Sequence, residues 1–426
     1  MNQQQERRKL IIYTVLTVAA ILAIYWIIQF LTTGELKVTT SNKSAEINII
    51  DPATGKVSQF VGKGSGSIRL KPGTYTVEAK LDDRITRTGF EIVASKTTSK
   101  NLQITDIKSP NQFLYYSASH LHAKDNILYF RNDSTREFNK FNSSESEPTV
   151  VEESLPEIST IHWATGGNLA LLETPDNIFY YFEDGKIRAV DISAPNGLLY
   201  PDSSKPDEAE ESDVNSQILH AQVNELGAFT FIEEGKVFYK PSLAEKAKLV
   251  TNRQLLSDSI LELSNKGLIA LVTYESLGQE NITSKDISKR AIEIYNSKNN
   301  EKTTLSTKEI PGFMSWSPGG DKLVYSDGQN IMLYNDNDKS TKIALGNRGE
   351  LSTFISWIND DTMVFPDKTS LWKYEVASNT TTKIANIPAG TLVQSLGVDS
   401  NEKTVFLSTK PNSRFDAFGN VYRLDL

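Results

Sequence analysis

The stretch Met314-Ser315-Trp316-Ser317-Pro318-Gly319-Gly320-Asp321-Lys322-Leu323-Val324-Tyr325 decides the reading of this chain. Ser-Pro-Gly-Gly is turn chemistry, because proline presets φ and glycine supplies positive φ at no steric cost. The apolar run after it is short and ends on an aromatic residue, as strands do. The same order recurs outward from this point. Leu169-Ala170-Leu171-Leu172, Ala228-Phe229-Thr230-Phe231, Leu268-Ile269-Ala270-Leu271, Met363-Val364-Phe365 and Val405-Phe406-Leu407 each follow a turn rich in Gly, Asn, Asp or Ser. Each has a partner run ending in aromatics, such as Ile178-Phe179-Tyr180-Tyr181, Val237-Phe238-Tyr239, Ile331-Met332-Leu333-Tyr334 and Leu371-Trp372-Lys373-Tyr374. Ile127-Leu128-Tyr129-Phe130 supplies a seventh copy.

A period near 40 residues with several short strands per unit predicts a β-propeller, since each four-stranded blade covers its apolar faces only by stacking on its neighbours. Trp163, Trp316 and Trp357 recur with the unit and are expected to pack between blades. Met314 to Tyr325 resembles the W-S-P-D-G-x-x-L/I-x-Y/F motif of TolB-type propellers, and the match fades to Trp163-Ala164-Thr165-Gly166-Gly167 and Trp357-Ile358-Asn359-Asp360-Asp361. The resemblance implies a protein-interaction platform over residues 106–426. Six or seven blades are expected, seven preferred, with Asn101 to Ile107 either ending the preceding domain or completing the last blade.

Composition narrows the partners. Twenty-three per cent charged and 38% hydrophobic residues describe a chain that folds. A net charge of −8 offers no basic field for a phosphate backbone, so no nucleic acid is expected. The absence of cysteine removes disulfides, thiolate ligands and thiol nucleophiles together.

Leu10 to Leu31 is uncharged and, at about 1.5 Å per residue, spans roughly 33 Å, enough for one bilayer crossing. Its length, and small residues Ala19, Ala20 and Ala23 that lie inside the run instead of at a cleavage site after it, distinguish it from a cleaved signal peptide. Arg7, Arg8 and Lys9 precede it, which predicts residues 1–9 in the cytoplasm, a transmembrane helix over 10–31 and an extracytoplasmic body.

Residues 34–105 alternate over short runs, predicting a small β-sandwich. Ala45 to Ile50 followed by Asp51-Pro52-Ala53-Thr54-Gly55 is one hairpin signal, and Ser67-Ile68-Arg69-Leu70 joined through Lys71-Pro72-Gly73 to Thr74 to Ala79 is another. Leu70 to Ala79 resembles the L-x-P-G-x-Y/H-x-V-x-V hairpin of PEGA domains, with Ser41-Asn42-Lys43-Ser44-Ala45 where the signature tetrapeptide would stand. That resemblance implies a non-catalytic envelope module. Gly62-Lys63-Gly64-Ser65-Gly66-Ser67 lacks Walker spacing and reads as a turn.

Signals for chemistry are sparse. His120 and His122 would share a face of one strand, but no third metal ligand is evident, and His162 and His220 fall in other repeats. Asp336-Asn337-Asp338 departs from a calcium loop and reads as a hairpin turn; Asp82-Asp83 and Asp360-Asp361 read as solvated turns. No G-x-S-x-G elbow occurs. No catalytic residue, metal or cofactor is therefore assigned. The expected function is a non-catalytic envelope protein that binds another envelope protein or a cell-wall component; the alternative is a propeller enzyme acting on extracellular glycan or peptide through its channel.

The binding face follows from strand order. In a four-stranded meander labelled A to D, the B–C and D–A connections leave on one rim. If the apolar runs are B and their aromatic partners C, the three long stretches Ile192–Gln217, Glu275–Arg290 and Ser408–Gly419 share that rim. Asp207, Glu208, Glu210, Glu211 and Asp213 would steer a basic partner there, and Phe415 and Phe418 would anchor it.

Overall fold

The computed structural model describes residues 13–22, 25, 31–50, 56–142, 144–167, 169–192, 218–251, 260–274, 290–307, 312–326, 330–347, 354–401, 403–411 and 419–426. The chain divides into two compact units, Met1–Asp106 with Ser378–Thr382, and Ile107–Ala377 with Lys383–Leu426.

Among the described residues of the first unit up to Asp106, seven strands form two layers. One contains Arg84–Ile92, Gly73–Leu81, Glu46–Ile50 and Val57–Lys63, in that order; the other contains Ser65–Leu70, Gly34–Thr40 and Thr97–Leu102. A single pair, Lys63 opposite Ser65, joins them across Gly64. Gly64 has φ +67°, and a Cβ there would lie 2.6 Å from the Lys43 carbonyl oxygen, so only glycine makes this corner. Alternating residues from both layers, among them Leu36, Val38, Ile47, Ile49, Val77, Phe90 and Leu102, close one core. The predicted hairpin of Glu46–Ile50 with Val57–Lys63 forms. The predicted hairpin across Pro72 does not. Ser65–Leu70 pairs with Gly34–Thr40, whereas Gly73–Leu81 pairs with Glu46–Ile50 and Arg84–Ile92. Leu70 and Val77 both face the shared core, and the Pro-Gly link carries the chain from one layer to the other.

Of the apolar run 10–31, residues 13–22, 25 and 31 are described and helical, with Tyr13, Val15, Leu16, Val18, Ile21 and Leu22 exposed. Among the described residues no helix is long and apolar enough to cross a membrane.

The second unit consists of four-stranded antiparallel meanders. Their innermost strands, in chain order, are Ala118–Lys124, Thr160–Trp163, Ile218–Val223, Leu261–Leu263, Met314–Trp316, Ser356–Asn359 and Thr391–Asp399. The apolar runs read from sequence are the second strands and their aromatic partners the third, as in Leu169–Glu173 with Phe179–Glu183. Second strands are buried along their length because the two flanking sheets cover both faces of each blade, which is why they read as continuous apolar runs rather than alternating ones. Two-residue turns with positive φ at both positions close the hairpins, as at Asp184-Gly185 and Glu234-Gly235.

These sheets form a closed ring. Separate cores fill the gaps between successive sheets: Ile161, Leu172 and Phe182 pack with Phe138, and Val272 and Ile294 pack with Trp316 and Tyr325. The ring closes where Leu121, Leu128 and Phe130 of the first sheet meet Phe406 and Val421 of the last. The last sheet takes its outermost strand from the start of the unit, Asn111–Leu114 paired with Asn420–Asp425, so Asn101 to Ile107 does not complete it. Thr97–Leu102 belongs instead to the first unit, parallel to Gly34–Thr40. At the closure Leu121 N–H donates to Ser395 Oγ at 2.9 Å and Ser408 Oγ donates to the Ala118 carbonyl. Gly397 lies so close to Leu121 that a Cβ would meet its side chain at 2.9 Å. A ring of four-stranded antiparallel sheets stacked face to face is a β-propeller.

Candidate functional site

In a propeller the first strand of every blade lines the axis. Here that position holds an unusual share of the polar chemistry. All four histidines of the chain lie on the innermost strands of the first three sheets: His120 and His122, then His162, then His220.

A cavity of about 480 Å³ runs along the axis, lined by His120, His122, Trp163, Glu262, Trp357 and Gln394 among others. A second space of about 250 Å³ shares Trp163 and Glu262 with it and adds His162 and Gln222. On the A–B turn of the fourth sheet, Asn265 bridges to the A–B turns of three other sheets. Its Nδ2 donates to the Thr165 carbonyl at 3.1 Å and the Pro318 carbonyl at 2.7 Å, and its Oδ1 accepts from Glu225 N–H at 3.0 Å.

Regular alternation would put His120 and His122 on one face of their strand, as the sequence suggests. A register shift opposite Tyr129 and Arg131 interrupts that alternation, and His120 takes φ +54°. Such an irregularity re-aims a side chain at the cost of local strain. The inner strand of the last sheet is also irregular, between Val393 and Ser395, and Gln394 is the residue displaced. Both irregular segments border the cavity.

His120 Nδ1 lies 3.0 Å from Ser119 Oγ, which donates to Asp133 Oδ1 at 2.6 Å. Burial, followed by the charges of Arg131 and His162, lowers the His120 pKa to about 4, although Asp133 opposes this. His122 stacks on Trp163 with ring centroids 4.3 Å apart. Burial and then the Lys124 charge lower its pKa to about 4 too. A hydrogen bond to the Gly167 backbone uses one ring nitrogen, and Nε2 has no partner among the described residues. Both rings are neutral near pH 7, and because the Gly167 backbone raises the His122 pKa the ring donates to it, so the other nitrogen holds the proton and His122 Nε2 is left as an acceptor.

The remaining groups divide into satisfied and unsatisfied ones. Gln222 Nε2 can only donate, so His162 Nδ1 accepts from it at 3.3 Å and Nε2 donates to Glu173 Oε2 at 3.0 Å. Trp163 Nε1 donates to the His120 carbonyl at 2.8 Å, and Trp357 Nε1 to the Ser315 carbonyl at 3.4 Å. Each indole thus ties its inner strand to that of the preceding sheet, a physical reason for the tryptophan to recur. Gln394 Oε1 is buried without a partner among the described residues. Glu262 is enclosed by protein yet keeps part of its surface toward the cavity, and burial raises its pKa to about 8. It is protonated near neutrality.

The sequence reading placed the site elsewhere. Asp207, Glu208, Glu210, Glu211, Asp213, Phe415 and Phe418 all lie outside the described residues. What the strand order does give is that 193–217 joins a fourth strand to the next first strand, whereas 275–289 and 412–418 join second to third strands. Among the described residues no group of three or more histidine or acidic side chains is arranged to hold a metal ion.

No protein-family model matches this chain, and no curated protein matches it. Solved structures similar to it include a chain of the crystal structure of a mitotic checkpoint complex, with a TM-score of 0.45, 13% identity and coverage of 75% of this chain and 94% of that one. Another is YCF48 bound to D1 peptide, with a TM-score of 0.47, 10% identity and coverage of 76% and 97%. The propeller assignment rests on strand order and ring contacts.

Proposed function

We propose that this chain is a membrane-tethered, extracytoplasmic binding protein whose propeller receives its partner at the axial channel and at the rim where the D–A and B–C links leave. The observation that carries the reading is the channel itself, where unpaired polar groups on irregular strands stand in the wall of a cavity within the usual size range of ligand sites, about 300–1,000 Å³. On this reading the propeller has seven blades of TolB type and the first unit is a PEGA-like spacer. The partner is an envelope protein or a cell-wall component. Pull-down from solubilised envelopes with the full chain tests the rim. Deletion of Ser203–Ser212, and Phe415→Ala with Phe418→Ala, should each reduce recovery; undiminished recovery with both rejects that rim.

Tethering is supported by the exposed apolar side chains of the helical residues 13–22 together with Arg7, Arg8 and Lys9 ahead of the run. Protease added to spheroplasts should degrade the body while a tag at residue 1 survives. A protected body with a cleaved tag reverses the orientation.

One observation favours a second reading, an enzyme acting on glycan or peptide. Glu262, protonated to about pH 8 in a cavity, has the property a general acid requires. Glu262→Gln separates the two: the amide can still donate and accept a hydrogen bond, so a binding site keeps its ligand with at most a modest loss of affinity, whereas an enzyme that needs the proton loses turnover.

A further inference from the structure

We propose that the axial channel binds an uncharged saccharide, with His122 Nε2 and Gln394 Oε1 accepting hydroxyl hydrogen bonds on one side of the ring and the Glu262 carboxyl completing the contact from the fourth sheet across it. This rests on the channel being the binding site, and adds the class of ligand.

Three observations converge on that class. The first is unsatisfied acceptors: buried polar atoms in folded proteins nearly always have partners, so two acceptors in the wall of one cavity with no partner among the described residues call for donors, which a ligand supplies. His122 is held in place by its stack on Trp163 and its bond to Gly167, and its free nitrogen cannot turn to find a partner within the protein. The second is neutrality. Besides His120, His122 and Glu262, the ionisable side chains among the described lining residues are one basic, Lys124, and one acidic, Asp399, and Asp399 already accepts from Asn126 N–H at 3.0 Å and Asn401 N–H at 3.0 Å. An ionic ligand deeper in the channel would lose its hydration without meeting a counter-charge. The third is the mixture of surfaces. Indole and phenyl groups of Trp163, Trp357 and Phe354 share the wall with these polar atoms, as suits a ring with apolar C–H faces and a rim of hydroxyls.

Saccharide hydroxyls both donate and accept, so they satisfy His122 and Gln394 as donors and the protonated Glu262 as donor or acceptor. The irregular strands that carry His120 and Gln394 are then the device that turns these side chains toward the ligand.

The test uses the full chain in nanodiscs and saturation-transfer NMR with chitobiose and cellobiose as neutral probes, digalacturonate as the anionic one and the blocked tetrapeptide acetyl-Gly-Ser-Gly-Ser-amide as an uncharged non-sugar. At least one neutral disaccharide should bind, digalacturonate should bind more weakly, and His122→Leu with Gln394→Leu should weaken the sugar at least tenfold at an unchanged or raised melting temperature. A sugar whose affinity survives the double variant, or tighter binding of digalacturonate, overturns the proposal. Channel-dependent binding of the tetrapeptide alone overturns the saccharide class while sparing the channel as a binding site. Should no probe bind and the solubilised-envelope partner be captured equally well by the double variant, both the saccharide and the channel reading fail.

Discussion

Glu262→Gln is expected to stabilise the protein near pH 7, by about 1–3 kcal/mol, and to leave its stability near pH 4 unchanged. In the unfolded chain this carboxyl releases its proton around 4.5; in the fold, burial holds it to about 8. Between those values the folded state binds the extra proton, so stability falls as pH rises through that window. The full shift would exceed the range given; contact of Glu262 with the cavity admits water and reduces it. Glutamine keeps the shape and removes the ionisation. His120 and His122 act in the opposite sense. Their pKa values are lowered to about 4 from 6.5, so the unfolded state protonates first as pH falls, and stability is lost between about 6.5 and 4. Urea denaturation of both proteins across pH 4–8 resolves the two limbs. The glutamine variant should retain the acid limb and lose the alkaline one; identical profiles would show that Glu262 is solvated and ionised in the fold.

How much of this was legible in sequence depends on which forces a pattern reports. Second strands such as Leu268 to Leu271 are buried on both faces, so apolarity alone reveals them, and turn residues such as Asp184-Gly185 mark the hairpins. The repeat therefore emerges from single stretches. The Pro72 hairpin misled, since Leu70-Lys71-Pro72-Gly73 has turn chemistry whether the chain folds back on itself or crosses to a second layer. Local composition carries no information on which strand is the partner. The channel was invisible for a related reason. His122, Glu262 and Gln394 are far apart in sequence and meet only because the ring closes, and the irregularities at His120 and Gln394 shift faces that alternation would have assigned. One signal was available: each histidine stands on a first strand just ahead of its apolar run. With strand A recognised as the axial strand, His162 and His220 would have been grouped with His120 and His122 instead of set apart by their repeats.

Trp316→Ala is expected to destabilise the protein by about 3–5 kcal/mol, the range for a fully buried tryptophan. Trp316 is wholly shielded from solvent and packs with Val272, Ile292, Ile294, Leu323, Tyr325 and Tyr334, the filling between the fourth and fifth sheets. Removal of the indole opens a void that rigid strands on both sides are unable to collapse into. Trp357 is also buried, at 6% exposure, and its alanine variant should lose a comparable amount. The phenylalanine variants separate the two roles. Trp316 Nε1 has no acceptor among the described residues, so Trp316→Phe removes an unsatisfied donor, and part of the lost packing is offset. Trp357 Nε1 donates to the Ser315 carbonyl, so Trp357→Phe breaks a tie between the inner strands of the fifth and sixth sheets and strands an acceptor. The loss for Trp357→Phe should accordingly exceed that for Trp316→Phe by about 1 kcal/mol, the net value of one hydrogen bond. Urea midpoints of the four variants decide it. Alanine losses below about 0.5 kcal/mol, the range of surface substitutions, would remove both residues from the packing between sheets. The reverse order of the phenylalanine variants would place the structural tie at Trp316 and leave the Trp357 indole as a space-filling group on the channel wall.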